Sequence, residues 1–252
     1  MSDQETFISH LIELRSRLVR AVAAVLAIFV VLFIWPGSGP IYDALALPLM
    51  NALPEGAKMI ATGVVTPFMV PVKVTALVAF MIALPYVLYQ AWAFVAPGLY
   101  EHEKKLALPL VVGSTALFLA GVAFCYFFVF GRVFAFIHSF APKSITPAPD
   151  IEAYFSFVIT MFLAFGVTFE IPIVVIVLVR MGLVSVEKLR DARPYVIVGA
   201  FIIAAVVTPP DVLSQLLLAI PMCLLYEAGL LLARFIRTGE KDQTDLTTKG
   251  EV

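Results

Sequence analysis

Glu13, Glu101 and Glu103 are carboxylates set beside basic residues at the edges of apolar runs, whereas Glu170 stands inside one. A carboxylate accepts two parallel hydrogen bonds from an arginine guanidinium, so carboxylates gathered at one wet surface can receive a pair of arginines. A plainer account exists for each. Glu13 precedes Arg17 by four residues, which suits an intrahelical ion pair, and the stretch Pro97-Gly98-Leu99-Tyr100-Glu101-His102-Glu103-Lys104-Lys105 suits a solvated loop. Glu170 is different in kind. It lies nine residues before Val179, about 14 Å from the end of its run when helical. A charge at a helix centre in lipid costs about 2.5–3.5 kcal/mol, so this carboxyl is expected to face protein. There it either meets a polar group of a ligand or partner helix, or serves as a hydrogen-bonded structural glutamate.

Bond-making chemistry has no visible apparatus. His10, His102 and His138 all lie away from the middle of apolar runs, and no nucleophile-elbow or phosphate-binding glycine loop occurs. His102-Glu103 is not a zinc-protease motif, because Leu106 occupies the place of the second histidine. Cys125 and Cys223 sit deep in apolar runs and read as small core residues, with no disulfide or metal site expected. The chain reads as a non-enzyme that needs no cofactor.

The elements that must position these groups are membrane helices. Of the 252 residues, 62% are hydrophobic and 14% charged, and the mean hydropathy is +1.00. A soluble domain is about a quarter charged, so this surface belongs in lipid. The net charge of -1 offers no bulk attraction to nucleic acid. Six apolar runs occur, at about 18–35, 74–96, 106–131, 154–179, 195–210 and 212–233. The fold expected is all-α, a six-helix domain over 1–236 with a polar, unstructured tail over 237–252. The fifth run gives only about 24 Å of helix and turns sharply into the sixth at Pro209-Pro210-Asp211, where Asp211 can cap the next helix.

Thirteen of the 17 basic residues flank the amino terminus, the 97–105 loop, the 180–193 connection and the tail. The positive-inside rule puts those on the cytoplasmic side, both termini included. Phe7, Leu11, Leu14 and Leu18 recur at helical spacing, forming an amphipathic lead-in to the first span. On the other side, the proline-bearing segment 36–71 is too apolar for a free linker and is expected to pack as a cap; 132–153 forms the second outer loop. Pro85, Pro109, Pro172 and Pro221 interrupt spans, which favours bent helices around a concavity. Gln90, Thr208 and Gln215 suit hydrogen bonds within the bundle.

Five motifs in order carry a family resemblance: His10-Leu11-Ile12-Glu13-Leu14-Arg15-Ser16-Arg17; Ala93-Phe94-Val95-Ala96-Pro97-Gly98-Leu99-Tyr100-Glu101-His102-Glu103; Ala164-Phe165-Gly166 through Glu170-Ile171-Pro172; Arg193-Pro194-Tyr195; and Thr208-Pro209-Pro210-Asp211. Over about residues 7–236 the chain resembles TatC, the multispanning core of the twin-arginine protein translocase. The resemblance implies a cupped, glove-like arrangement of six helices, the last two short. It implies recognition of signal peptides with paired arginines on folded cargo. The implied setting is the bacterial inner membrane, in a hetero-oligomer of multiple copies with TatA- and TatB-type single-span partners, driven by the proton-motive force. Glu13 and Glu103 match its acidic signal-binding positions, with Arg17, Phe94 and Tyr100 in the same motifs. Glu170 matches its intramembrane glutamate, Thr208 and Gln215 match polar positions for docking partner helices, and Pro48 and Asp211 resemble structural loop positions. Ala205 stands where some members carry a larger residue.

Overall fold

The computed structural model describes residues 3–51, 58–95, 104–139 and 148–249, and its regular elements are helices. In order they are α1 (Asp3–Ile34), α2 (Ser38–Met50), α3 (Thr66–Val95), α4 (Lys104–Phe124), a π-helical turn (Cys125–Val129), α5 (Phe130–Ser139), α6 (Ile151–Phe169), α7 (Ile171–Arg180), α8 (Val186–Asp191), α9 (Arg193–Val207) and α10 (Val212–Lys249). Five stretches are long and apolar enough to cross a membrane: His10–Ile34, Thr66–Val95, Leu108–Ile137, Ile151–Arg180 and Val212–Phe235. The sixth, α9, has 15 residues and reaches only about 22 Å. The all-α, multi-pass architecture read from the six apolar runs is the one observed.

A phenylalanine-rich core joins α3, α4, α6 and α10, with Phe118, Phe130, Phe155, Phe162 and Phe165 packed against Val74, Leu84 and Leu218. Lipid is as apolar as these side chains, so close backbone approach decides which helices touch. Gly121 of α4 lies against the Phe165 carbonyl of α6, and Gly229 of α10 lies against the backbone of Pro172 in α7. By contrast α1 lies along α3 and is largely exposed, with Ala21 its one buried residue among those described. Its lead-in leucines Leu11, Leu14 and Leu18 also face outward.

Several boundaries differ from the sequence reading. The third span continues to Ser139 instead of ending at 131, because Val133 stays in the core and the Arg132 guanidinium lies over the Phe128 ring, 3.4 Å from its centroid. Position 172 does more than bend the fourth span. Proline has no N–H to donate, and the helix breaks two residues earlier, with Glu170 between α6 and α7. The resemblance implied a short sixth helix, yet α10 has 38 residues and its apolar part alone spans, as the length of its apolar run required. The expected free tail is also helical through Lys249: once a helix is nucleated, each added residue gains a hydrogen bond.

The segment between the first two spans packs as the cap expected of it. Helix α2 buries Ala46 and Leu49 in the main core. Pro48 within α2 cannot donate to the Ala44 carbonyl four residues back, and the Tyr126 hydroxyl donates to that carbonyl instead, at 2.9 Å. Tyr154 donates to the next one, Leu45, at 3.1 Å. Ile60 pairs with the backbone at 149–151, the Ile60 N–H donating to Pro149 and the Ile151 N–H to Ile60. Asp150 caps α6 by accepting from Glu152 and Ala153 N–H, and it accepts from the Thr62 N–H and hydroxyl. These donors, the Ala153 N–H first, hold its carboxyl below the usual range. Glu152 accepts from Thr66 and from Lys73, at 3.2 and 3.0 Å.

Candidate functional site

At the end of the bundle opposite the cap, α1 and the last turns of α3 bring three expected site residues together. Arg17 donates to Glu13 Oε1 through Nε at 2.8 Å and through Nη2, one helical turn apart on α1. Its Nη1 reaches the Gln90 side-chain oxygen of α3 at 3.4 Å. The His10 ring stacks on Phe94, centroids 4.3 Å apart. Glu13 and Phe94 thus lie on two helices in contact, α1 and α3, with Arg17 bridging between them. The intrahelical pair favoured on spacing alone is present, and Gln90 joins it across 73 residues of sequence. Glu13 stays accessible, with 42% of its side chain exposed. Tyr100 and Glu103, with Glu101, lie outside the described residues. Phe94 is one residue from the end of α3, and the segment that holds Tyr100 and Glu103 follows it in sequence.

Glu170 is buried, 9% exposed, and neither carboxyl oxygen has a hydrogen-bond partner among the described residues. Its depth and inward orientation agree with the insertion cost argued from sequence. The Ser114 hydroxyl faces it from α4, and Ile173, three positions on, packs in one apolar cluster with Trp92 and Val177.

Thr208 and Gln215 belong to the α9–α10 hairpin on the cap side. Thr208 is buried and donates to the Ala204 carbonyl at 2.8 Å, while the Gln215 amide donates to Phe201 at 3.2 Å, tying the two helices. Asp211 caps α10, accepting from the Ser214 N–H at 2.7 Å. Its other oxygen and the Ser214 hydroxyl are buried without partners among the described residues. These groups do not meet Glu170. Gly229 packs at the level of Pro172, and Gln215 lies fourteen residues earlier on α10, about 21 Å along the helix.

One pairing escaped the sequence reading. Arg193, at the start of α9, donates to Glu227 of α10 at 2.6 Å. Each is a charge at a span end, which was the available signal, but nothing in the sequence couples them. Among the described residues no cluster of histidine, cysteine or carboxylate has metal-site geometry.

Residues 9–221 match the family model described as Sec-independent protein translocase protein (TatC). The chain belongs to the TatC family. A TatC of Haemophilus influenzae is 52% identical over 235 residues, covering 93% of this chain and 91% of that one. A TatC of Escherichia coli K12 is 47% identical, covering 93% and 90%. The crystal structure of a twin-arginine translocase receptor TatC superposes with a TM-score of 0.79 at 38% identity, over 90% of this chain and 98% of that one. The fold is therefore the TatC fold, and this is a multi-pass membrane protein of protein transport. The TatC relatives are named as translocase components, not as enzymes.

Proposed function

We propose that this chain is the signal-peptide receptor of a twin-arginine translocase in a bacterial plasma membrane. In this reading the group of Glu13, Arg17 and Phe94, completed by Tyr100 and Glu103, binds the arginine pair of a signal peptide on folded cargo. One observation carries the reading: an accessible Glu13 carboxylate already holds a guanidinium in a two-bond contact beside an aromatic wall. The same contact, offered by an incoming arginine, replaces or joins that of Arg17. Lysine supplies charge without the planar fork, so it substitutes poorly.

The partners proposed are TatA- and TatB-type single-span proteins, gathered with several copies of this chain in one complex. Thr208 and Gln215 dock one part of a partner helix near the cap side, and Glu170 meets a polar group of a partner helix, or of the inserted signal, about 21 Å deeper. Pro48 and Asp211 act structurally, through the Tyr126–Ala44 bond and the α10 cap. Both termini lie in the cytoplasm, export draws on the proton-motive force, and residues 237–252 form the polar end of the chain on the cytoplasmic side.

Crosslinking tests the receptor reading. A photoreactive signal peptide with paired arginines is expected to label the purified complex near Glu13 and Glu103. Replacing both arginines by lysine is expected to abolish that labelling; equal labelling by the two peptides would overturn the proposal.

A further inference from the structure

Three buried polar side chains from three parts of the fold converge inside the bundle. Trp92 of α3 donates its indole N–H to the Ser114 oxygen of α4 at 2.8 Å. Ser114 is 0% exposed, and its hydroxyl faces the Glu170 carboxyl between α6 and α7. A serine hydroxyl offers one hydrogen and two acceptor positions, so accepting from Trp92 leaves the hydrogen to give. The neighbouring Thr115 gives its own to the Val111 carbonyl of its helix at 2.8 Å, the ordinary fate of a hydroxyl in a membrane helix. Ser114 makes no such bond among the described residues. Glu170 in turn has two buried oxygens without a hydrogen-bond partner among the described residues, three positions before Ile173, which packs in one apolar cluster with Trp92. An unpartnered buried carboxyl is costly, and Ser114 is the donor at hand. Gly113 beside it faces Ile173 of α7, whose side chain would lie 3.7 Å from an added methyl, an ordinary contact that places α4 beside α7 here.

We propose that Ser114, fixed by the Trp92 indole, is the positioning residue for Glu170: its hydroxyl orients the carboxyl toward an incoming helix and is exchanged for that helix's own donor on docking. The proposal rests on the reading of Glu170 as a docking residue. It makes Trp92 a reporter of that carboxyl, through one hydroxyl.

The test uses the full complex in native membranes with Trp35→Phe, which leaves Trp92 as the sole tryptophan of this chain. A photoreactive residue at Val167, exposed on α6 one turn before Glu170, reads contact with the single-span partner. Ser114→Ala is expected to shift Trp92 emission and to reduce the partner crosslink about three- to ten-fold at normal abundance, the range of one interhelical hydrogen bond. Ser114→Thr, which keeps the hydroxyl, is expected to restore both. Glu170→Gln is expected to change Trp92 emission only while Ser114 is present, and the double variant Ser114→Ala/Glu170→Ala to crosslink no worse than Glu170→Ala. Emission indifferent to Glu170, or fully additive losses in the double variant, would overturn the proposal. Normal crosslinking by Glu170→Ala with the emission coupling intact would instead remove the docking reading, and the positioning role with it, and leave only a structural contact between Ser114 and Glu170.

Discussion

Alanine at Gly121 tests the approach of α4 to α6, on which the placement of Ser114 against Glu170 depends. A methyl built there lies 2.5 Å from the Phe165 carbonyl oxygen and 2.9 Å from the Phe169 ring. Restoring an ordinary contact of 3.4 Å moves the helices about 0.9 Å apart. The nearest atom is backbone, which cannot swing aside, so the cost falls in the upper part of the ~1–3 kcal/mol range for overpacking. Against it stands a gain of at most about 1 kcal/mol in helix propensity. The net destabilisation is about 1–2 kcal/mol, which makes unfolding roughly five- to thirty-fold more favourable. Gly199→Ala is the matched control, because nothing lies within 4 Å of its added methyl. Melting of the detergent-solubilised protein, followed by fluorescence-detected gel filtration, is expected to place Gly121→Ala clearly below the parent and Gly199→Ala at or slightly above it. Equal midpoints for the two variants would refute the close approach.

Glu13→Ala is expected to weaken binding of a paired-arginine peptide, and Glu103→Ala to weaken it about ten-fold or more, with normal membrane levels; unchanged affinity in titrations of both would reduce them to solvated charges. Glu170→Ala is expected to keep that binding while impairing partner crosslinking and export, and Glu170→Gln to do so more mildly, as blotting beside an export assay would read. Arg193→Glu or Glu227→Arg alone is expected to lower protein abundance, with recovery in the double exchange; no recovery would show that the 2.6 Å pair is not what joins α9 to α10 there. Cysteine labelling in intact cells is expected to reach Lys58 and Lys143 but not Ser2, Glu101 or Lys249, and outside labelling at Glu101 would invert the topology.

How much of this was legible depended on whether the signal was local. Apolar runs report spans directly, and the shortness of α9 followed from counting residues before Pro209-Pro210. Counting also outperformed the resemblance for α10, whose apolar length, not the short helix implied, matches what is seen. Glu170 announced itself because a carboxyl inside 154–179 is expensive. The break beside it was less legible, since a proline may bend a helix or end one and only the neighbouring packing decides. Pairings were illegible. Arg17 with Gln90, Trp92 with Ser114 and Asp150 with Thr62 lie 73, 22 and 88 residues apart, beyond the reach of any periodicity. The Glu13–Arg17 bond, four residues apart on one helix, is the exception that a spacing rule reaches.

The bond between Ile60 and the backbone at 149–151 also fixes an order of assembly. Ninety residues separate its ends, and they include all of the second and third spans. A nascent chain therefore cannot make it until both spans and Asp150 have been made. At about 5–20 residues per second of synthesis, α2 waits roughly 5–20 s for this pairing. Tyr126 and Tyr154, whose hydroxyls hold α2 in place, arrive in the same late portion of the chain. The cap is thus closed from behind, by sequence made long after the segment it secures, and a chain halted before residue 149 would lack the pairing at Ile60.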